Sequence, residues 1–415
     1  MRRHMQHARR TVSLGVVLAC VAGTMALGTL TKAPCAAADW SDRRQYRLLC
    51  YTDVVPLLGT EQLQGGRLPY LEPCRPVDDQ SCDEYPVLTM YTMRAAAWIA
   101  GESYAPFFYV NAVLLMAAAG ITAACLWLLA GRRALWFALA PTLLIYGTVN
   151  WDLIAVAFAT SAIVAFAARR DGWAGVLLGL GTAAKLYPAL LLVPLLAQAL
   201  QDREPDRAVK LAWGTVGAWL AVNLPFVIRA RDAWWEFFRF NGARPPDWDS
   251  GWYIACRATD AACLDTRTVN LVSALLFVAV FAGLWIWKAS RSPGFPRWTL
   301  ALPILVCFLL TNKVYSPQYG LWLLPVLALV LPDLKPFVAF AIADVALFVT
   351  RFRFFEELAG GDGIPQWVFE VTVGVRALVL VWCVAAWLVR DADPLVLGRR
   401  GWRPATASAQ EAQPA

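Results

Sequence analysis

A chain of 415 residues that is 59% hydrophobic and only 16% charged falls well short of the roughly 25% charge usual in soluble domains, and its mean hydropathy is +0.50. The formal net charge of +7 does not point to nucleic acid. The basic residues sit in short turns between apolar runs, as the positive-inside rule places them, and form no contiguous basic stripe with interleaved aromatics. A soluble enzyme and a nucleic-acid binder are excluded, and an all-α polytopic membrane protein remains.

Residues 1–10 carry four arginines and no acid, and an apolar run follows from Val12 to Leu30. The small-residue stretch Ala36-Ala37-Ala38 allows a cleaved signal peptide, but the apolar core exceeds the roughly 7–15 residues of a signal region, which favours a retained first span. Either way the next segment lies outside. That segment, 33–104, is the longest hydrophilic stretch, with ten acidic and six basic residues. Apolar runs 105–130, 134–149 and 151–168 follow, with Arg132-Arg133 and Arg169-Arg170 placed inside and Asn150-Trp151-Asp152 outside.

The run 173–200 is about the length of one generous helix. One crossing would put the charged turn 202–210 outside, against the charge pattern. We therefore expect two short helices turning near Lys185-Leu186-Tyr187-Pro188, since Pro188 removes a helix N–H and disfavours helix at Tyr187. Irregular backbone at that depth must be covered by protein or line a wet cavity.

Run 208–228 leads to a second external loop, 229–267, rich in Trp, Arg and Asp. Runs 268–287, 298–311, 319–332, 336–350 and 367–389 complete an expected count of about twelve spans with both ends inside. Residues 1–390 then form one transmembrane domain and 391–415 a disordered cytoplasmic tail. Cys20, Cys125, Cys307 and Cys383 lie within apolar runs as small hydrophobes. The close pairs Cys74/Cys82 and Cys256/Cys263 have disulfide-like spacing in the external loops, although spacing alone does not fix connectivity.

The only histidines, His4 and His7, belong to the cytoplasmic stub. No histidine dyad, triad or His-ligated metal site is therefore expected outside, and an external general base must be Asp, Glu or something weaker. No P-loop or dinucleotide fingerprint fits, because the Gly-rich stretches lie within apolar helices. We expect no cofactor and no metal.

The first external loop contains Asp53 soon after the first span, then Gly66-Arg-Leu-Pro-Tyr70, then Glu84-Tyr85-Pro86-Val87. Further on come Asp152 after a short span, Lys185-Leu-Tyr187-Pro188, and Asn312-Lys313-Val-Tyr-Ser-Pro-Gln318-Tyr319. In this order the motifs resemble the polyprenyl-phosphate-sugar-dependent glycosyltransferases of the GT-C fold. The resemblance is narrower still to the GT87 (DUF2029-like) family, which contains a mycobacterial phosphatidylinositol-mannoside mannosyltransferase and an arabinofuranosyltransferase. It runs from about residue 12 to residue 390, with Val87 standing where the family has a second proline. It implies inverting transfer of a sugar from a polyprenyl-phosphate donor to a cell-envelope glycolipid or glycan hydroxyl, at an active site facing out of the plasma (inner) membrane. The Ala/Arg-rich, Lys-poor usage of a high-GC genome favours mannose or arabinofuranose.

That chemistry needs a base for the acceptor hydroxyl and cations for the departing phosphate. Asp53 is the candidate base, and Lys185, Lys313 and Arg244 are the candidate phosphate partners. Glu84, Tyr85, Asp152, Tyr187, Asn312 and Gln318 are the candidate substrate-binding residues. Some of Trp234, Trp235, Trp248 and Trp252 are candidates to stack on a sugar face.

The same residues admit plain structural roles. Asp53 can be a solvated charge, Glu84 can pair with Arg67 or Arg94, and Asp152 can cap its helix. Lys185 can neutralise Asp152 or Asp53, although an apolar turn offers an ammonium no exposed partner, and a charge there is functional by default. The alternative function is a lipid or sugar transporter or flippase. Against it stand the long carboxylate-bearing external loop and the lack of inverted repeats. A non-catalytic assembly subunit with this fold would be expected to lack the Asp, and Asp53 is present.

Overall fold

The computed structural model of the chain describes residues 12–40, 43–75, 82–101, 103–259, 264–391 and 394–395. The expected disordered tail lies almost wholly outside them. All regular structure among the described residues is helical, because apolar runs at membrane depth must satisfy their backbone groups internally.

The first span is α1, Leu14–Leu30, capped by Ser13, whose hydroxyl accepts the Val16 amide. It packs into the core against α4 (Tyr104–Ala130) and α6 (Pro141–Tyr146). Between them the first external segment is not all loop. It carries the short helix α2, Val54–Thr60, and a 13-residue helix α3, Val87–Ile99, with Met90, Met93, Ala96 and Ala97 fully buried. The run 134–149 is broken into α5, Ala134–Ala138, and α6, because Pro141 starts a new helix. The expected run 336–350 continues to Leu358 as α16, Leu334–Leu358.

The 173–200 run is two helices, α8 (Asp171–Ala184) and α9 (Pro188–Gln201), with Lys185 in extended conformation between them. Each has 14 residues, about 21 Å at 1.5 Å per residue, short of the roughly 30 Å hydrocarbon core. Asp171 at the start of α8 and Glu204 just beyond α9 both meet Arg207 in α10 (Pro205–Arg229), at 2.9 Å and 3.3 Å. Glu204 also pairs with Arg169 at 2.7 Å, beyond the end of α7 (Asp152–Ala167). Both ends of the α8–α9 hairpin therefore lie at one end of the bundle and its apex at the other. A membrane-impermeant thiol reagent should accordingly reach Arg170→Cys and Asp206→Cys from the same side. Labelling from opposite sides would undo the hairpin.

The hairpin sits tightly because of glycine. A Cβ at Gly175 would come within 2.2 Å of the Leu211 carbonyl oxygen, and one at Gly214 within 2.5 Å of the Gly172 oxygen. Small residues at these positions let α8 and α10 approach backbone to backbone, the usual solution where lipid removes the hydrophobic drive between helices.

The remaining elements are α11 (Arg231–Ala243), α12 (Gly251–Thr259), α13 (Thr266–Arg291), α14 (Ala301–Thr311), α15 (Gly320–Val330) and α17 (Gln366–Leu388). Among the described residues four stretches are long and apolar enough by themselves to cross a bilayer: Tyr104–Ala138, α10, α13 and α17. The helices α1, α7, α9 and α15 are shorter apolar elements.

Two disulfides close the first external segment, Cys35–Cys50 and the expected Cys74–Cys82. The first was not legible from spacing. Cys256 is also disulfide-bonded, while Cys263 lies outside the described residues. Cys125, Cys307 and Cys383 are free and buried.

Candidate active site

A cavity of about 770 Å³ lies at the end of the bundle that holds the apex of the α8–α9 hairpin. Its floor begins at the turn before α7. Thr52 donates to the Thr148 carbonyl at 2.8 Å, and the Asp53 amide donates to the Val149 carbonyl at 2.9 Å. The strand of chain leaving the first span is thus stitched to residues 148–150, nearly a hundred positions later.

Asp53 precedes α2 but makes no side-chain cap. Its carboxylate points instead to three donors. Tyr51 Oη donates to Oδ1 at 2.5 Å, and Asn150 Nδ2 and Gln318 Nε2 donate to Oδ2 at 2.9 Å and 3.2 Å. Asn150 Nδ2 also donates to the Tyr85 hydroxyl at 2.8 Å. Tyr51 stacks on Phe352 of α16, ring centroids 4.6 Å apart. The carboxylate is held as an acceptor from three elements, and none of the three donors is a cation.

Lys185 meets a partner that sequence reasoning offered only as an alternative. Its Nζ lies 3.1 Å and 3.2 Å from the two oxygens of Asp152, which is fully buried and also accepts Trp322 Nε1 at 2.6 Å. The expectation of a lysine without a counter-ion at the hairpin apex is therefore corrected: folding brings the apex onto the start of α7. Asp152 is not a cap either. It occupies the first helical turn with Trp151 as N-cap, and it sits behind the cavity wall rather than in it. Lys185 itself reaches the cavity and lies over the rings of Tyr85 and Tyr319, at 5.6 Å and 5.3 Å. Tyr187 lines the cavity and stacks on Trp322 at 4.3 Å.

Two further cations line the same cavity, next to each other. Arg244 follows α11 and pairs with Asp247 at 3.1 Å. Lys313 follows α14 and donates to the backbone carbonyls of Gly242, at 3.0 Å, and Arg244. The Asp247 amide returns a bond to the Lys313 carbonyl at 2.8 Å. Among the described residues Lys313 has no carboxylate partner. Burial, with Arg244 adding to it, lowers its ammonium to about 8. Asn312 lines the same cavity, its Oδ1 accepting the Val314 amide at 3.4 Å.

Glu84 enters the cavity from the turn before α3. It does not pair with Arg67, which bonds Asp83 at 2.9 Å instead. Its Oε1 is buried without a hydrogen-bond partner among the described residues. Burial raises its carboxyl to about 7, against the pull of Arg244.

Of the sequence candidates, all but Asp152 line the one cavity. Of the four loop tryptophans only Trp248 does. Trp252 donates to the Thr311 carbonyl and Trp234 to Asn223, so both serve packing, and Trp235 is exposed. Missed were Tyr51, Asn150, Trp322, Asp247 and Arg351. Arg351 follows directly on an apolar run, a signal that could have found it. It ion-pairs with Asp249 and lies 3.7 Å from Asp247. Among the described residues no three His, Cys, Asp or Glu side chains converge as a metal-binding set.

A carboxylate that lines one cavity with an ammonium and a guanidinium can take a proton from a hydroxyl while the cations meet a departing anion. The sequence profile of Glycosyltransferase family 87 matches residues 85–317, more than half of the chain and most of this site. Among curated proteins none matches. Two solved structures of ArnT from Cupriavidus metallidurans are similar in fold. The one bound to undecaprenyl phosphate is 14% identical with a TM-score of 0.47, covering 91% of this chain and 77% of that one. The apo-state structure is 15% identical with a TM-score of 0.44, covering 82% and 72%.

Proposed function

The chain belongs to glycosyltransferase family 87, and from that premise we propose that it moves a sugar from a polyprenyl-phosphate donor to a hydroxyl of a cell-envelope glycolipid or glycan. The reaction takes place on the outer face of the plasma membrane, with mannose or arabinofuranose as the sugar. The observation that carries this reading is the Asp53 carboxylate, fixed by Tyr51, Asn150 and Gln318, in the same cavity as Lys313, which no acid among the described residues neutralises.

Asp53 takes the acceptor hydroxyl proton as the oxygen attacks the anomeric carbon from the face opposite the phosphate. The bond to the phosphate oxygen breaks, the phosphate keeps the electron pair, and configuration inverts. The leaving phosphate gains one negative charge, which Lys313 and Arg244 meet as charge-assisted donors. Lys185, already neutralised by Asp152, takes a lesser share than the sequence alone suggested. The disulfides of the first segment support an outward-facing site, since such bonds persist in oxidising compartments.

The test is transfer by the purified chain from a panel of polyprenyl-phosphate sugars, including mannose and arabinofuranose, with product analysis. Transfer from a nucleotide sugar and from no lipid-linked donor would overturn the reading. In the same assay Lys313→Met should raise the donor KM about 10- to 100-fold, the worth of a hydrogen bond to a charged group. The acceptor KM should change little.

A further inference from the structure

Glu61 lies at the end of α2, away from the cavity, and is 1% exposed. Among the described residues no cation pairs with its carboxylate. Its two oxygens accept two successive backbone amides: Asp83 N–H to Oε2 at 2.5 Å and Glu84 N–H to Oε1 at 3.3 Å. A buried carboxylate is expensive, and this one is spent on a single turn. That turn is itself unusual, because Asp83 has φ +64°, the left-handed region that a non-glycine residue enters at a cost.

The surroundings hold the turn from its other sides. The Arg67 guanidinium bonds the Glu61 carbonyl at 2.9 Å and the Asp83 carboxylate at 2.9 Å, and also reaches the Glu72 carbonyl at 3.3 Å. The Tyr70 hydroxyl donates to the Tyr85 carbonyl, and the Cys74–Cys82 bridge closes the ring. The next two side chains after the turn, Glu84 and Tyr85, face the cavity, and the Tyr85 hydroxyl shares Asn150 with Asp53.

We propose that Glu61 is a positioning residue: its buried carboxylate receives the Asp83 and Glu84 amides and thereby fixes the left-handed turn that aims Glu84 and Tyr85 at the reacting groups. This rests on the cavity being the transfer site described above. Glu61→Gln keeps the shape but presents an N–H₂ group to one of the two amides. It should lower transfer from a polyprenyl-phosphate sugar about tenfold, the effect of leaving one buried amide N–H without its acceptor.

A merely structural role would lower activity equally in any background. The substitution is therefore also made in a Glu84→Gln/Tyr85→Phe chain. There it should cost less than about twofold, because residues acting through one another are non-additive. The second readout needs no donor. Hydrogen exchange at the Asp83 and Glu84 amides should be slow in the wild-type chain and should quicken in Glu61→Gln, with the core of α4 unchanged. If Glu61→Gln does not fold, Glu61→Asp, which keeps the carboxyl group but withdraws it by one methylene, carries the same two readouts.

Equal losses in both backgrounds, or unchanged exchange at the two amides, overturns the proposal. A wild-type chain that uses no polyprenyl-phosphate sugar overturns the transfer reading instead, and the exchange measurement still decides whether Glu61 holds the turn.

Discussion

Asp53→Asn is expected to lower turnover by roughly 10² to 10⁴, the usual worth of a general base, with donor KM nearly unchanged. The amide cannot take the acceptor proton, and it keeps the volume of the carboxylate. It also turns one acceptor atom into a donor facing Tyr51, Asn150 or Gln318, all of which now donate to Asp53. Some local rearrangement therefore accompanies the chemical loss, and the variant is to be assayed only after thermal unfolding shows a folded protein. Tyr51→Phe provides the comparison. It removes one donor and leaves the base, so its loss should be much smaller. A folded Asp53→Asn chain with near-normal turnover would remove Asp53 from the chemistry.

Lys185→Met should destabilise the protein by about 3–5 kcal/mol, because it leaves Asp152 as a buried charge without its counter-ion. The residual bond from Trp322 at 2.6 Å does not neutralise it. A second change, Asp152→Asn, should restore most of that stability, and the double variant should bind donor nearly as well as wild type. Thermal unfolding in detergent, with and without a polyprenyl-phosphate sugar, measures both effects. A Lys185→Met chain of unchanged stability and weakened donor affinity would return Lys185 to the phosphate and reduce the ion pair to an incidental contact.

The stability effect and the catalytic effect thus separate two charged residues that look alike in the sequence. Lys185 and Lys313 both interrupt apolar stretches beside a Tyr and a Pro. One closes onto a carboxylate at the start of α7 and the other onto backbone carbonyls at the C-terminal end of α11. Which of them remains available to a substrate anion depends only on what packs opposite.

The sequence by itself determined that the chain is a polytopic helical membrane protein and where most of its cavity-lining residues fall. Length and hydropathy of a run are local properties, and so is the break at Pro188, which the missing N–H enforces whatever surrounds it. Charged and polar residues within or between such runs are likewise conspicuous one by one, and the motifs that resemble the family's are what set Asp53, Glu84, Lys185 and Lys313 apart from the others.

The tertiary structure alone decided how those residues are wired. Asp53 takes its donors from residues 97 and 265 positions away, Lys185 finds Asp152 across two helix ends, and Glu61 reaches 22 residues to the turn at Asp83. It also decided that 87–99 is a buried helix rather than loop, because it packs against α4 and α8. Hydrogen bonds and ion pairs of this kind have no period and no fixed spacing in the chain. They are set by which surfaces come close enough to exclude water, and close approaches such as Gly175 against Leu211 are seen only in the packed bundle.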